Sequence, residues 1–320
     1  MKRALVTGAA GFVGQWLCRT LIRDGWEVVG ASLTSPAVEG VLDHAEREAV
    51  QWMQADLRND TAVTAVVDAA QPDAVFHLAG ITFVPAGGQD PIGVCQANVL
   101  VAVALLQELQ RRVAVGALDP AVVMVGSAEQ YGARTAEDGL LREDQPCRPV
   151  TFYAATKLAQ EEFSLLAARA GRLRVMCTRS FNHSGPGQAS HFLMPALVRR
   201  VRAAVEAGGG TVTIGNGHTT RDFLHAEDVS RAYLSLATRG VAGEVYNVCS
   251  GSGVTVEALA REVCVRAGVD AELVSDPTLR RAVDAPWLVG DNTKLREATG
   301  WTPRRSRTDI IDELLHAAAH

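Results

Sequence analysis

Short apolar runs alternate with longer amphipathic stretches through the first half of the chain. The runs rich in β-branched residues predict strands at Arg3–Thr7, Glu27–Ala31, Ala74–His77, Ala121–Gly126 and Leu173–Thr178. Between them, apolar residues recur every three or four positions and predict helices at Gly11–Asp24, Thr61–Ala70, Gly93–Arg112 and Tyr153–Ala170. Strands that alternate with helices build a parallel sheet, so we expect an α/β fold with a doubly wound parallel sheet.

The pattern changes after Ser180, where glycine, proline, histidine and asparagine become frequent and the apolar runs shorten. We therefore predict a first domain over residues 1–180 and a smaller C-terminal α/β lobe over residues 181–320. Glu227–Thr238 has helical periodicity. Residues 223–248 are accordingly expected to pack back on the main sheet.

The composition is that of an ordinary globular protein, with 48% hydrophobic and 21% charged residues in 320. A net charge of −5 argues against nucleic acid or an anionic membrane as a partner, since both attract basic surfaces. The six cysteines show neither paired spacing nor a metal-ligand pattern. Reduced thiols, no metal site and a cytoplasmic location are the corresponding expectations.

Two apolar stretches have some features of targeting or membrane segments. The N-terminal run stops at the glycines of residues 8, 11 and 14, which indicates a strand entering a turn and not a signal peptide. The uncharged stretch at residues 91–107 is shorter than a bilayer span and contains polar residues, so a buried helix is predicted there.

Glycines follow the first predicted strand at Gly8, Gly11 and Gly14. A turn of this kind lets the backbone approach a pyrophosphate and brings the phosphate charge to a helix N-terminus. A merely tight turn is the alternative, but the position between a strand and a helix favours a dinucleotide site that includes Phe12 and Val13. The sheet is then expected to be a Rossmann sheet.

The second predicted strand leads to Ser32, where dinucleotide-binding folds usually carry a carboxylate. Without that charge a 2′-phosphate is not repelled, so NADPH is favoured and NADH stays possible, although no arginine adjoins Ser32. Asp56 and Leu57 follow the third strand, where such folds contact adenine; a helix cap is the alternative for Asp56. The turn after the fourth strand adds Leu78, Ala79 and Gly80.

Tyr153 and Lys157 are four residues apart and therefore share one face of a helix. A fixed cation beside a phenol is expected to lower the pKa of the phenol and make it a usable acid-base group. The chain has only two other lysines, so a lysine at this position is less easily explained as an ordinary surface charge. Ser127 ends a strand beside the same pocket.

The glycine turn, Ser127 and the Tyr153/Lys157 pair together resemble the extended short-chain dehydrogenase/reductases, over essentially the whole chain. The resemblance implies hydride transfer between a nicotinamide and a sugar carbon. Tyr153 would then donate or accept the proton, Lys157 would hold the nicotinamide ribose and tune Tyr153, and Ser127 would bind the sugar oxygen. Further contacts implied by the resemblance are Asn98 and Ser180 to the cofactor and Thr82 to the substrate.

Segments of the second lobe, at residues 179–188, 220–224, 246–251, 288–291 and 299–301, are similar to those of GDP-4-keto-6-deoxy-D-mannose reductases, which make GDP-D-rhamnose. This similarity implies that Asn182, Arg221 and Arg281 bind a nucleotide diphosphate, and bidentate guanidinium groups suit that anion. A salt bridge to a neighbouring aspartate, Asp222 or Asp228, is the alternative for Arg221. For Arg281, the adjacent Arg280 is a competitor.

Glu129 is the reason for a second interpretation, in which the reaction is a dehydration. It lies two residues after Ser127, where related 4,6-dehydratases carry the glutamate that removes a sugar proton, and a carboxylate near a ketone can act as that base. A non-catalytic, cofactor-sensing protein of the same fold is the third interpretation. The base and sugar of the substrate stay open, and the resemblance implies a homodimer through the helices at Gly93–Arg112 and Tyr153–Ala170.

Overall fold

Seven parallel strands form the central sheet of the computed structural model, which describes residues 1–35, 40–82, 90–171, 173–280 and 284–317. Its strands are β1 (Arg3–Thr7), β2 (Glu27–Ser32), β3 (Val50–Gln54), β4 (Ala74–His77), β5 (Ala121–Ser127), β6 (Arg174–Ser180) and β10 (Val245–Val248). Their spatial order is β10-β6-β5-β4-β1-β2-β3. Strands β2 and β3 lie on one side of β1, and the later strands lie on its other side, so the strand order reverses between β1 and β4. Doubly wound sheets bind ligands at this point. The predicted fold class is confirmed.

Helices cover both faces of this sheet. They are α1 (Phe12–Arg23), α2 (His44–Glu48), α3 (Asp60–Ala70), α4 (Pro91–Ala114), α5 (Phe152–Arg169), α6 (Leu193–Glu206), α7 (Ala226–Arg239), α8 (Val256–Ala267), α9 (Thr293–Thr299) and α10 (Arg307–Ala317). One face carries α1 and α7, whose Leu17 and Tyr233 share an apolar cluster with Phe76 of β4. The other face carries α3, α4 and α5. Burial on both faces explains why the strands have continuous apolar sequences.

The predicted strands and helices of the first half lie within three residues of the observed bounds. Sequence analysis placed a third strand before Asp56 without giving its limits, and β3 occupies that position. In the later part, α7 packs against α1, and β10 pairs with β6 in the main sheet. Residues 223–225, however, end β9 (Thr220–His225), which lies in a different sheet. A boundary at residue 180 stays a prediction.

The C-terminal part has its own small sheets and core. β9 pairs with β7 (Asn182–Ser184), β11 (Gly253–Thr255) and β13 (Trp287–Leu288), while β8 (Gly210–Ile214) pairs with β12 (Ala271–Ser275). Side chains of α6, α8 and α10 pack together, among them Leu197, Leu259 and Ile310. Because β7 follows β6 after one residue, this lobe begins directly at the edge where the main-sheet strands end.

Helix α4 extends the predicted helix, Gly93–Arg112, by two residues at each end. It runs for 24 residues and, by length and composition alone, is apolar enough to cross a membrane. Its inward face is nevertheless part of the core, because Ala102, Leu105 and Leu109 are at most 1% exposed and belong to the cluster formed with α3 and α5. The prediction of a buried helix is therefore confirmed for this face.

Candidate active site

The glycine turn brings the loops after β1 and β4 into close contact. Gly8 has φ +72°, and a Cβ at this position would lie 2.8 Å from the backbone nitrogen of Ala79. A Cβ at Gly14 would lie 2.2 Å from the carbonyl oxygen of Gly8. Side chains at these two positions would therefore disrupt the turn. Among the described residues no side chain caps α1, which begins directly after Gly11.

Two neighbouring residues complete this region. The backbone N–H of Ala10 donates to the Oγ of Ser32 at 2.8 Å, so Ser32 supports the glycine turn from the end of β2. Phe12 stacks on His183 with ring centroids 6.3 Å apart, which connects the turn to β7 of the C-terminal lobe. An uncapped helix N-terminus after a turn of glycines and alanines fits a pyrophosphate, and the adjoining Val13 belongs to the first turn of α1.

Asp56 lies in the loop after β3 and is paired with Arg58. The Nη2 of Arg58 donates to a carboxylate oxygen of Asp56 at 2.6 Å, and this hydrogen bond lowers the pKa of the Asp56 carboxyl. The helix-cap alternative for Asp56 is wrong, because Asn59 caps α3. Leu57 is buried in the core beside this loop.

The loop after β4 is held by Asn98. This fully buried side chain accepts from the N–H of Ile81 at 2.8 Å and donates to the Ile81 carbonyl at 3.1 Å and to Thr156 at 3.0 Å. Its amide groups are thus engaged in holding the protein loop. The same loop contains Leu78, Ala79 and Gly80, and Thr82 is exposed at its described end.

Tyr153 lies in the first turn of α5 and meets Ser127 at the end of β5. The pKa of Tyr153 is raised to about 12, chiefly by burial; the hydrogen bond to Ser127 lowers it and the nearby Glu129 charge adds to the increase. The expected lowering of this pKa by Lys157 was wrong. Desolvation dominates, and it favours the neutral phenol.

The Lys157 ammonium is buried one turn further along α5, and its side chain is only 3% exposed. It donates to the carbonyl of Val125 and to the side-chain oxygen of Gln160, both at 2.9 Å. Burial lowers the pKa of Lys157 to about 8. The ammonium therefore bonds to neutral oxygens and keeps its charge, and burial of the phenol itself is what dominates the pKa of Tyr153.

Glu129 occupies a single helical turn, Ala128–Tyr131, directly after Ser127. Its backbone N–H donates to the Oγ of Ser127 at 3.2 Å. Its side chain is half-buried, and its charge acts on Tyr153. A carboxylate is therefore close to the phenol and the serine hydroxyl.

The C-terminal lobe contributes Asn182 and Arg221. Asn182 lies on β7, and its Oδ1 is buried without a hydrogen-bond partner in the described part of the chain. Arg221 lies on β9, donates to the Ala285 carbonyl at 2.8 Å and pairs with Asp284. The alternative of a salt bridge from Arg221 to Asp222 or Asp228 was wrong, since Asp222 accepts from Ser250 and Gly251 and Asp228 pairs with Arg231. Arg281 lies outside the described residues.

Two sets of buried hydrogen bonds beside these residues were not predicted from the sequence, although Ser180 itself was expected to contact the cofactor. Ser180 bonds to the hydroxyl of Tyr233 at 2.8 Å, so its own hydroxyl is tied to α7. Gln130 accepts from the N–H of Ser127 at 2.9 Å and donates to Glu161 at 2.8 Å, and Glu161 in turn pairs with Arg179 at 2.7 Å. Gln130, Glu161 and Arg179 are far apart in the sequence and their spacing matches no motif, so only the fold shows this network.

Known proteins resemble this chain over most of its length. A family model for GDP-mannose 4,6 dehydratase matches residues 5–314. A GDP-6-deoxy-D-mannose reductase from Pseudomonas aeruginosa is 37% identical over 235 residues, which are 72% of this chain and 75% of that protein. A dTDP-6-deoxy-L-talose 4-dehydrogenase (NAD(P)(+)) from Kitasatospora kifunensis is 31% identical over 317 residues, covering 98% of this chain and 94% of that protein.

The solved structures agree with this result. The structure of RMD from Pseudomonas aeruginosa complexed with NADPH has a TM-score of 0.83 to this chain at 30% identity, covering 99% of this chain and 98% of that one. Because sequence and fold agree over nearly the full length, the chain belongs to the GDP-mannose 4,6-dehydratase family of extended short-chain dehydrogenase/reductases and is an NAD(P)-dependent enzyme of that type.

Proposed function

We propose that the protein reduces the C4 ketone of GDP-4-keto-6-deoxy-D-mannose to GDP-D-rhamnose with NADPH. Nucleotide-sugar chemistry of the reductase/dehydratase kind follows from the family. The choice of a GDP-linked ketone is supported by the 37% identity to a GDP-6-deoxy-D-mannose reductase. The non-catalytic interpretation does not agree with membership of this enzyme family.

The buried phenol of Tyr153, hydrogen-bonded to Ser127, is the observation that carries this proposal. Reduction adds a hydride to C4 and a proton to the ketone oxygen. With a pKa of about 12, Tyr153 holds its proton at neutral pH and can donate it to the ketone oxygen. Ser127, hydrogen-bonded to Tyr153, is placed to bind the same ketone oxygen.

The cofactor is assigned to the crevice at the carboxyl ends of β1, β2 and β4. A bound nicotinamide supplies the hydride. The turn of Gly8, Gly11 and Gly14 leaves room for the pyrophosphate, with Phe12 and Val13 beside it. The remaining proposed contacts are Ser32, Asp56, Leu57, Leu78, Ala79, Gly80 and Ser180, together with Tyr153 and Lys157, while Asn98 holds the loop.

The nucleotide sugar is assigned to the junction with the C-terminal lobe. A buried acceptor without a donor is unfavourable, and a substrate hydroxyl would satisfy the Oδ1 of Asn182. Arg221 is buried near this junction and already binds Asp284, so a diphosphate would have to compete with that carboxylate. Thr82 and Arg281 complete the proposed substrate contacts. In this division residues 1–180 hold the cofactor, and residues 181–320 hold the substrate together with Thr82 and Ser127 of the first domain.

A 4,6-dehydratase is the second candidate, because the Glu129 charge acts on Tyr153. A dehydratase regenerates its nicotinamide in each turnover, whereas a reductase consumes one NADPH per product. We expect stoichiometric NADPH oxidation with GDP-4-keto-6-deoxy-D-mannose and no reaction of GDP-mannose, measured by absorbance and product mass. Loss of water from GDP-mannose without net cofactor change would make the dehydratase correct.

The substitution Glu129→Gln separates the two candidates further. In a reductase it removes a neighbouring charge and not the proton donor, so kcat should fall by at most about tenfold, or about 1.4 kcal/mol. In a dehydratase it removes the base. A loss of activity as large as that of Tyr153→Phe would therefore contradict the reductase.

Cofactor choice should depend on Ser32. Because β2 ends without a carboxylate, we expect kcat/KM with NADPH to be at least equal to that with NADH. Ser32→Asp places a negative charge where the 2′-phosphate is expected and should lower the NADPH/NADH ratio by about tenfold or more. Ser32→Ala is the control, since it removes the bond to Ala10 without adding charge. An unchanged ratio in Ser32→Asp would mean that the ribose lies elsewhere.

We also infer a homodimer formed by α4 and α5. These helices expose apolar side chains that a monomer would leave in water: Ile92, Leu100, Phe152, Phe163 and Leu166, each at least 46% exposed. Light scattering should give twice the 34.0 kDa chain mass. Phe163→Glu should shift the mass to that of one chain, whereas Val265→Glu, on the exposed surface of α8, should not. A dimer that survives Phe163→Glu would place the interface elsewhere.

A further inference from the structure

Gln160 contacts Lys157 from the next turn of α5. Its Oε1 accepts from the Lys157 ammonium at 2.9 Å, and its Nε2 donates to the Val125 carbonyl at 3.3 Å. The ammonium donates to the same Val125 carbonyl at 2.9 Å. The three groups thus form a closed triangle at the end of β5. Gln160 is 1% exposed and Lys157 is 3% exposed, so water contributes little to this arrangement.

The charged and titratable groups around Lys157 do not replace Gln160. His77, from β4, has its pKa lowered to about 3 by burial and by the Lys157 charge, so it is neutral. Tyr153, on α5 itself, is also neutral. Glu161 is bound to Arg179 on β6 and to Gln130. Within the described residues Lys157 forms no ion pair, so two neutral oxygens compensate its burial.

The compensation of the buried Lys157 charge by neutral oxygens, and not by a carboxylate, has a chemical consequence. A carboxylate at position 160 would neutralise the ammonium and compete with a ligand for it, whereas an apolar side chain would leave a buried charge with one acceptor fewer. The amide does neither. It occupies one of the three N–H donors, the Val125 carbonyl occupies a second, and the third is left for a ligand.

We propose that Gln160 is a positioning residue that holds the Lys157 ammonium against the Val125 carbonyl and keeps it charged for contact with the nicotinamide cofactor. This inference rests on the cofactor role proposed for Lys157. It adds a residue that does not itself touch the cofactor. The effect of Gln160 on the titration of Lys157 should therefore be measurable in the protein without cofactor.

The presence of only three lysines makes a direct test feasible. When the protein is labelled with carbon-13 lysine, NMR gives signals for Lys2, Lys157 and Lys294. The chemical shift of each signal changes when that lysine loses its proton. Gln160→Met, which keeps the unbranched shape and removes the amide, should lower the titration midpoint of Lys157 by about one pH unit. Gln160→Glu should raise it by about one pH unit, because a carboxylate favours the ammonium. Loss of packing alone cannot move the midpoint in opposite directions.

The matched control is Ser164→Ala. Ser164 is fully buried one turn further along α5, and within the described residues its hydroxyl bonds to the backbone oxygen of Gln160 and to the Cys177 thiol but not to Lys157, so its removal should leave the Lys157 midpoint unchanged. Should Gln160→Met fail to fold, Gln160→Asn replaces it, since its shorter amide cannot reach both partners, and a lower midpoint is again expected. Lys2 and Lys294 serve as internal references.

NADPH affinity provides the second readout. Gln160→Met should weaken NADPH binding at neutral pH by about tenfold, and Ser164→Ala should not. Equal Lys157 midpoints in the wild type, Gln160→Met and Gln160→Glu would overturn the inference. If the midpoints shift as expected but Lys157→Ala binds NADPH normally, the positioning is correct and the proposed cofactor role of Lys157 is wrong.

Discussion

Replacing Tyr153 with phenylalanine should lower kcat by about a thousandfold or more while leaving NADPH affinity within about twofold of wild type. The substitution removes one hydroxyl from a side chain whose ring stays packed in α5. That hydroxyl carries the proton that the reduced ketone oxygen needs. Turnover is measured from NADPH oxidation and affinity from quenching of protein fluorescence.

Tyr246→Phe is the matched control for this experiment. Tyr246 is also buried, and its hydroxyl also makes one hydrogen bond, accepting from the N–H of Val241 at 3.0 Å. Its removal has the same kind of structural cost but no chemical role, so kcat should change little. If Tyr153→Phe retains more than about a tenth of the wild-type rate, another group donates the proton.

The elements that the sequence predicted well are those whose signal is local. Strand β1, the glycine turn and α1 are specified by an apolar run, three glycines and a helical repeat within about two dozen residues. The same holds for the four-residue spacing of Tyr153 and Lys157, which one helix realises. These patterns do not depend on distant parts of the chain.

Properties that depend on distant parts of the chain were predicted less well. The pKa of Tyr153 was expected to fall because sequence places a cation four residues away, but sequence does not show how deeply the phenol is buried. Burial outweighs that cation, because desolvation of the Tyr153 phenol is the largest influence on its pKa. The sign of the shift therefore depended on solvent exclusion, which only the assembled fold determines.

The partner of Arg221 has a similar explanation. Sequence neighbours suggested Asp222 or Asp228, but successive strand residues point to opposite faces, so Asp222 lies away from Arg221 and accepts hydrogen bonds from Ser250 and Gly251. Arg221 instead meets Asp284, which is 63 residues away in the chain and comes close because β13 pairs with β9. A contact created by strand pairing between remote segments has no local signature.

Replacing Lys157 with alanine should weaken NADPH binding by about a hundredfold and lower kcat by a similar factor, because a buried charged donor is lost from both processes. Lys294→Ala is the control. Lys294 is a half-exposed lysine paired with Glu244, so its removal should change neither quantity. Normal NADPH affinity in Lys157→Ala would contradict the proposed contact.

The pH dependence gives this prediction a specific form. Lys157 is a base whose pKa is lowered to about 8 by burial, so it is charged below this pH and loses its charge above it. NADPH affinity should therefore be constant below about pH 8 and fall by up to about tenfold per pH unit above it. Tyr153 cannot cause this decrease, because its pKa of about 12 places its titration far higher. In Lys157→Ala the affinity should be low at every pH and show no such decrease. A decrease that persists in that variant would have to come from a different group.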